Sequence, residues 1–390
     1  MTIRPRFVTS RWDGVFTTDF TLAHVRQRCF HIGQALLARG WSCLVAYDTR
    51  FMSSLYAIDV YRMLQQQGVA VNLASTPIAL PAVQWSLSGR QDRAAIVVSA
   101  GNRPYWYNGL VVVRPTGSDP LMTGETGFIS PATLDGGPFP ALGAEADIPA
   151  EQRIDVRSAY LDMLRSLVDV NLMRSLTLTI FADPMNGTMA GCLPAVIGEG
   201  SYTKAVEINR EPDPLFSLMT PLPATAGLAR LRKLVRESDS NIGLAFSADG
   251  SALSVVDKTG ELIEPLEIAL ILGAYLVRQQ RQRGLVVAPP PAEGSALAAA
   301  VARLDTWEDA LGFKVEIVPD AAARIAELAA QANNTLLVGC TAAGELVLSR
   351  YTAYPDALVA GLLMVEVLAR SGGSLRTAID DIRSRLAVEE

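Results

Sequence analysis

The chain has 390 residues, of which 49% are hydrophobic, and its formal net charge is -6 at pH 7. A chain of this size and composition can bury the cores of two to four globular domains. The acidic balance and the absence of a Lys/Arg-rich run argue against a nucleic-acid partner, because phosphate backbones require a basic surface. No apolar stretch approaches the roughly 20 residues of a membrane helix and the start lacks a signal-peptide core, so we expect a cytoplasmic protein with no membrane partner.

The residue types that usually bind metals or carry protons are scarce. The four cysteines lack a CxxC or any metal-like spacing, which is typical of reduced, buried thiols. The two histidines, His24 and His31, lie seven residues apart on one face of a predicted helix, where packing is a simpler interpretation than a ligand pair. No lysine occurs before Lys204. Composition alone therefore indicates no metal centre and few proton shuttles.

The first segment, residues 1–150, alternates helix and strand patterns. The predicted elements are a helix over 21–39 that ends at Gly40, a strand over 42–48, a helix over 51–68, and strands over 69–75 and 94–100. Residues 136–158 are rich in Gly, Pro and acidic side chains, which predicts a linker. A series of this kind is typical of an α/β domain.

Two further segments, 151–262 and 263–390, repeat the alternation. The second has a predicted helix over 159–168 and strands over 176–184, 203–209, 242–246 and 252–257. The third has predicted helices over 265–282, 295–303 and 320–332, a closing helix from about 356, and strands over 284–291, 313–319 and 335–340. The whole chain is thus predicted to be an α/β protein with three consecutive domains.

Several strings resemble those of the α-D-phosphohexomutases, the family of phosphoglucomutases and phosphomannomutases. "FVTSRWDG" (7–14) is similar to "FGTSGWRG", "AYDTR" (46–50) to "GYDTR", "ADPMNGTMAG" (182–191) to "VDPMHGAGAG", and "GLAFSADGSALSVVD" (243–257) to "GLAFDGDADRLGVVD". "EINREPDPLF" (207–216) is almost the family's own string. The resemblance implies three phosphoglucomutase-like α/β/α domains with mixed sheets. Because the family's smaller fourth domain has no counterpart in the sequence, we expect no C-terminal phosphate cradle.

The resemblance also implies a chemistry that can be checked at each position. Family members move a phosphoryl group on a hexose by means of a phosphoserine, Mg²⁺ and an acid/base residue. "SAGNRPYWYNG" (99–109) resembles the phosphoserine loop "TASHNPPEYNG", with Gly101 at the serine position. Ser99 is left either as a hydroxyl that a register shift could bring forward or as a turn residue. Asn102, Arg103 and Asn108 are weak ligand candidates in the same loop.

Two other loops show similar replacements. "SADGSA" (247–252) stands where the family has the metal loop "DGDADR", so one carboxylate of three remains, Asp249. Since Mg²⁺ prefers carboxylate oxygens, we expect neither bound Mg²⁺ nor another cofactor, and Asp249 is better explained as a turn residue. "CTAAGE" (340–345) stands where the family has the sugar-binding "GEESGG", which leaves Thr341 and Glu345 as ligand candidates. The family's acid/base lysine falls at Val111.

These replacements leave three hypotheses. The leading one is a catalytically inactive phosphohexomutase-like protein with no catalytic or metal-binding residue and with a binding, regulatory or assembly role, acting through a protein partner or as a homo-oligomer. The second is a hexose-phosphate mutase completed by a partner that supplies the fourth domain, with Arg50, Arg103 and Arg210 placing positive charge near phosphate. The third is a sensor that binds a sugar phosphate without turnover.

Overall fold

The computed structural model describes residues 7–115, 148–198, 202–217, 220–331 and 335–386. The chain divides into two compact units. Unit 1 consists of Met1–Tyr160, Asn186–Thr188 and Pro212–Pro221, and unit 2 consists of Leu161–Met185, Met189–Glu211 and Leu222–Glu390.

Unit 1 is built around a six-stranded mixed sheet. Its strands are β1 (Phe7–Val15), β2 (Ser42–Tyr47), β3 (Val71–Ala74), β4 (Arg93–Val98), β5 (Tyr107–Pro115) and β6 (Arg153–Ile154). They lie in the order β1-β5-β4-β2-β3-β6, in which β5 runs antiparallel to β1 and β4 and the other neighbours are parallel. The helices are α1 (Leu22–Arg39), α2 (Ser53–Gln66) and α3 (Leu80–Ser86), and α4 (Val156–Leu167) begins in this unit.

The helix α1 illustrates why the first segment folds as its sequence predicts. The Thr21 hydroxyl accepts a hydrogen bond from the backbone amide of His24, and Gly40 ends the helix with a φ of 65°. A threonine at the start and a left-handed glycine after the end are the expected capping residues. Apolar side chains of α1, including Val25 and Ile32, are fully buried in the same core as β2 and β4. The sheet therefore shares one hydrophobic core with α1 and α2.

Unit 2 contains two four-stranded mixed sheets. The first has β7 (Thr179–Asp183), β8 (Lys204–Glu207), β9 (Ile242–Phe246) and β10 (Leu253–Asp257) in the order β10-β9-β7-β8, with β10 antiparallel to β9. The second has β11 (Leu285–Ala288), β12 (Lys314–Ile317), β13 (Leu336–Cys340) and β14 (Leu346–Leu348) in the order β12-β11-β13-β14, with β14 antiparallel to β13. Both sheets thus combine parallel neighbours with one antiparallel edge strand.

The helices of unit 2 separate these strands along the chain. They are α5 (Val170–Ser175), α6 (Cys192–Ile197), α7 (Ala229–Glu237), α8 (Pro265–Gln280), α9 (Ala296–Ala300), α10 (Trp307–Leu311), α11 (Ala321–Ala330), α12 (Ala357–Arg370) and α13 (Leu375–Arg385). The helix α12 is buried over 357–369. Among the described residues no single helix is long and apolar enough to cross a membrane. The helices α12 and α13 taken together have the length and composition of a membrane span, but the chain bends by 89° between them.

The predicted α/β class with mixed sheets is confirmed, and most predicted elements are found within a few residues of their expected ends. Two details differ. The predicted linker 136–158 contains β6 and the start of α4, while its residues 136–147 lie outside the described part of the chain. Residues 107–109, expected in the loop 99–109, begin the strand β5. The three domain boundaries stay a prediction, since the two units do not test them one by one.

Candidate functional site

The loop that resembles the phosphoserine loop follows β4 in unit 1. The amide of Ser99 donates to the carbonyl of Gly109 (3.0 Å), and the Ser99 hydroxyl accepts a hydrogen bond from the amide of Gly101 (2.9 Å). Ser99 is buried, and Gly101 has a φ of 57°, in the left-handed region that disfavours side chains. Ser99 thus holds the turn in this structure, and the position of the family's serine is suited to glycine.

Arg50 fastens the same loop from the turn that follows β2. Its Nη2 donates to the carbonyl oxygens of Gly101 (2.7 Å) and Arg103 (2.6 Å), and its Nη1 donates to those of Pro104 (3.0 Å) and Tyr107 (3.2 Å). The Arg50 side chain is 1% exposed. A guanidinium whose donors point at backbone carbonyls is occupied in shaping the loop. The role of Arg50 in placing positive charge near phosphate stays a prediction, and in this structure its Nη1 and Nη2 donate to backbone carbonyls.

The carboxylate of Asp48 lies next to the guanidinium of Arg50. This carboxylate lies 3.3 Å from Nε of Arg50 and accepts hydrogen bonds from the Arg50 amide (2.9 Å) and the Ser53 hydroxyl (2.7 Å). Burial raises the pKa of Asp48, and the nearby Arg50 opposes that rise. The pair forms a fully buried foundation for the loop. Sequence reasoning missed Asp48, although it lies inside the quoted string "AYDTR".

The remaining candidates of this loop divide into one structural residue and two at the surface. The side-chain Nδ2 of Asn108 donates to the Ser53 hydroxyl (3.0 Å), and its Oδ1 accepts from the backbone amide of Gly109 (2.8 Å). Arg103 is 59% exposed and forms an ion pair with Asp13 at 2.9 Å. Asn102 is half-buried beside it. The structure thus brings all four candidates of the loop together. Arg103 is paired with Asp13, which stands at the arginine of the similar family string "FGTSGWRG".

The loop 247–252 in unit 2 is closed by its own side chains. The Oδ1 atom of Asp249 accepts hydrogen bonds from the hydroxyls of Ser247 (2.8 Å) and Ser251 (2.6 Å) and from the Ser251 amide (3.0 Å). The Ser247 hydroxyl accepts from the amides of Ser251 (3.0 Å) and Ala252 (2.9 Å). All three polar side chains are buried. This arrangement is a compact Asx-type turn.

This loop offers a magnesium ion a single carboxylate, Asp249, whose Oδ1 atom already accepts hydrogen bonds. Three hydrogen-bond donors point at Oδ1 of Asp249, and a cation on that oxygen would have to displace them. The neighbouring Ser247 and Ser251 add no negative charge. Within the described ranges there is also no group of three or more His, Cys, Asp or Glu side chains that could hold a metal ion.

The loop 340–345 lies against the loop 247–252 within unit 2. The amide of Leu253 donates to the carbonyl of Gly344 (2.9 Å), and Ala252 forms a β-bridge with Glu345. A Cβ atom at Gly344 would lie 2.4 Å from the carbonyl oxygen of Leu253, so this contact requires glycine. The Thr341 hydroxyl lies 3.3 Å from Oε2 of Glu345 and accepts from the Glu345 amide (3.2 Å). Asp249, Thr341 and Glu345 are therefore brought into two adjoining turns.

Asp183, at the end of β7, is a second buried carboxylate that sequence reasoning missed. It accepts hydrogen bonds from the Met185 amide (2.8 Å) and from the Asn209 side chain (2.8 Å). Burial raises its pKa to about 6. Met185 and Asn209 both have positive φ, at 50° and 51°. The string "ADPMNG" contains the signal, an aspartate that ends a buried strand before a turn.

Comparisons with known proteins agree with the fold described above. The family described as "Phosphoglucomutase/phosphomannomutase, alpha/beta/alpha domain I" matches residues 4–122, and domain II of the same family matches residues 158–260. Together these matches cover more than half of the chain. The chain belongs to the phosphoglucomutase/phosphomannomutase family, the α-D-phosphohexomutases. The predicted resemblance is thereby confirmed, while the candidate residues remain predictions.

Individual relatives agree with this assignment. A phosphoglucosamine mutase of Teredinibacter turnerae is 23% identical over 362 residues, which cover 91% of this chain and 75% of the relative. A phosphoglucosamine mutase of Ralstonia pickettii is 26% identical over 345 residues, covering 87% and 72%. The crystal structure of a Thermus thermophilus protein assigned as a phosphomannomutase matches with a TM-score of 0.78 at 23% identity, covering 99% of this chain and 85% of that one. At that identity the structural match shows the fold alone.

Proposed function

We propose that this member of the phosphohexomutase family has no mutase turnover and keeps the family's fold for a binding, regulatory or assembly role. In this proposal it acts in the cytoplasm, through a protein partner or a second copy of itself. The observation that carries the proposal is the backbone conformation of the loop 99–107 and the way in which Arg50 is bonded to it. Its serine position is Gly101 at a φ of 57°, and the buried guanidinium of Arg50 is bonded to four of the surrounding carbonyls.

The local electrostatics support the same proposal. A transferring phosphoryl group needs positive charge directed at its oxygens. In this loop the donors of Arg50 point at backbone carbonyls, and Arg103 is paired with Asp13. The substitution of an acidic residue for the family's arginine at position 13 makes the surroundings of Gly101 less favourable to phosphate.

The loop 247–252 supports the absence of a metal-dependent step. Since Oδ1 of Asp249 is held by hydroxyl and amide donors, we derive no step through Mg²⁺. Calorimetric titration with Mg²⁺ should give no signal in the millimolar range. Binding at about 1 mM or tighter that disappears in Asp249→Ala would contradict this part of the proposal.

The decisive test is turnover of the full chain. Glucosamine 6-phosphate, glucose 1-phosphate and mannose 1-phosphate would each be supplied with Mg²⁺ and the matching hexose bisphosphate, and the protein examined by mass spectrometry for phosphorylation. We expect no product above the uncatalysed rate and no phosphorylated residue. A kcat of about 1 s⁻¹ or more, in the ordinary range of enzymes, would falsify the proposal.

The same preparations can test the proposed binding role. Co-purification of the tagged chain from its native cell, with the oligomeric state measured in parallel, should recover either a partner or a stable homo-oligomer. A strictly monomeric chain that recovers nothing specific would contradict an assembly role. Thermal shifts with the same three sugar phosphates test whether the protein is instead a sensor that binds a sugar phosphate without turnover. A ligand at 100 times its Kd adds about 2.7 kcal/mol of stability.

A further inference from the structure

A cavity of about 790 Å³ lies in unit 2 where the chain enters β11, β12 and β13. We call it the basic hollow, and Arg281, Arg283, Leu285, Lys314 and Thr335 are among its lining residues. This is the amino end of three neighbouring parallel strands. The loop 340–345 follows the opposite end of β13, about 16 Å away at roughly 3.3 Å per residue. The basic hollow is therefore separate from the loop 340–345, and its volume falls in the size range of small-molecule sites.

The charge of the basic hollow is opposite in sign to that of the whole chain. Arg281 and Arg283 are exposed, and in the parts of the chain that the structure describes neither side chain has a hydrogen bond or an ion pair. Lys314 and Glu308 form a weak pair at 3.8 Å, and both are largely exposed. Three cations thus face one carboxylate, a local net charge of +2 in a chain whose formal net charge is -6. Unpaired cations around a concave surface attract multiply charged anions.

The backbone holds the two arginines at the rim of the hollow. Arg281 ends α8 with a φ of 51°, a conformation that a residue with a side chain adopts at some cost. Gly284 approaches the next strand so closely that a Cβ atom would lie 2.5 Å from the carbonyl oxygen of Thr335. The segment between them is short and fixed at both ends. The backbone positions of the two arginines are therefore restricted before any ligand arrives.

The walls of the hollow add an apolar component. Val277 and Leu285 are half-buried at its surface, and Phe313 is buried behind them. Phosphoryl groups match the three cations, and the face of an aromatic ring matches these walls. We propose that the basic hollow binds an organic diphosphate, with the diphosphate on Arg281, Arg283 and Lys314 and the organic group on Val277 and Leu285.

A purely structural role for the arginines has a different signature. Cations near the last turn of α8 also stabilise that helix by interacting with its macrodipole. That role would change the thermal stability of the free protein but would give no saturable binding of anions. Ligand titration of variants therefore separates the two roles, because helix stabilisation alone predicts no heat of binding.

The test is calorimetric titration of the full chain with ADP and with pyrophosphate, at low salt and without metal. We expect ADP to bind with a Kd of about 1 mM or below and more tightly than pyrophosphate, because only ADP carries an aromatic base whose face can pack on the apolar walls. The double variant Arg281→Ala/Arg283→Ala should weaken ADP binding by about tenfold or more. The matched control is Lys233→Ala/Arg236→Ala on α7, which removes the same charge from two exposed side chains and should leave binding within about twofold.

Four results would overturn the proposal. They are no binding of either probe at about 5 mM, binding that survives in Arg281→Ala/Arg283→Ala, an equal loss of binding in the control variant, and pyrophosphate binding at least as tightly as ADP. The free variants are compared by thermal unfolding, so that a loss of binding is read only from preparations that remain folded. Lys314→Ala, which leaves α8 unchanged, serves as the second variant if the double variant does not fold.

Discussion

The loop 99–107 in unit 1 and the loop 247–252 in unit 2 both follow a buried strand, but they are held in different ways. The first is held by Arg50, whose guanidinium reaches carbonyls 51 to 57 residues away along the chain. The second is held by the carboxylate and hydroxyls of residues within five positions of one another. The first loop thus depends on a distant side chain in addition to its own Ser99, while the second is held by hydrogen bonds among its own side chains. Substitutions should therefore act over different ranges in the two loops.

The largest effect should come from Arg50→Ala. The substitution removes the guanidinium donors of four backbone carbonyls, of which only that of Pro104 also accepts from the Tyr107 amide among the bonds described, and it leaves the buried carboxylate of Asp48 without its cation. We expect the free energy of unfolding to fall by about 3–5 kcal/mol. Hydrogen exchange should show lost protection throughout 99–107. The matched control, Arg103→Ala, removes a surface ion pair and should cost less than about 1 kcal/mol; equal losses in the two variants would show that the loop is not fastened by Arg50.

The buried carboxylates of Asp48 and Asp183 have different neighbours, and this difference leads to a prediction about how stability depends on pH. Asp48 has an arginine at its carboxylate, whereas Asp183 is held by an amide and an asparagine side chain and has a pKa raised to about 6. Because the folded pKa of Asp183 exceeds its unfolded value, the folded state binds more protons between about pH 4 and 6, and this contribution to stability is lost as the pH rises through 6.

The measurement is the pH dependence of unfolding in the wild type and in Asp183→Asn, which does not titrate. Relative to the wild type, the variant should gain about 2 kcal/mol between pH 4 and pH 7. The difference between the two proteins cancels the contributions of other buried carboxylates such as Asp48. A stability difference that stays constant with pH would mean that the carboxyl of Asp183 titrates in the ordinary range.

Asp249→Ala should have a smaller and more local effect than Arg50→Ala. It removes the acceptor of two buried hydroxyls and one amide, for an expected loss of about 2 kcal/mol. Asp249→Asn keeps an acceptor oxygen and should recover part of that loss. Hydrogen exchange is expected to change at 247–253 and in the adjoining turn at 341–345, and a loss of protection spread over all of unit 2 would contradict the self-contained character of this loop.

The sequence predicted the folds of these regions better than the way in which their loops are held. The limits of α1 were predictable because a capping threonine and a terminal glycine mark its ends. The strands β1 and β5 were missed because they pair across about a hundred residues, and the start of β5 was interpreted as the exit of a loop. The role of Arg50 was not predictable, since its acceptors are backbone carbonyls that have no side-chain signature. Asp249 was correctly placed in a turn, because aspartate and serine form such turns locally.

The smallest effect concerns the serine position itself. Gly101→Ser introduces a side chain at a φ of 57° and should cost about 1 kcal/mol without restoring mutase turnover, because residues that act as one catalytic unit do not rescue one another singly. Gly101→Ala is the control, since it has the same strain but no hydroxyl. The two variants should be equally destabilised and equally inactive in assays of turnover and phosphate incorporation. Turnover in the serine variant alone would show that the rest of the site is intact.

The composition of unit 1 has a consequence for how the protein is made. Its turn after β2 is completed by residues far along the chain, since the amide of Phe51 donates to the carbonyl of Pro214 (3.2 Å) and the guanidinium of Arg50 lies 5.3 Å from the ring of Phe216. A ribosome adding about 5–20 residues per second needs roughly 3–12 seconds to pass from residue 160 to residue 221. During that interval the nascent unit 1 lacks these contacts, and a fragment cut near residue 160 would lack them permanently.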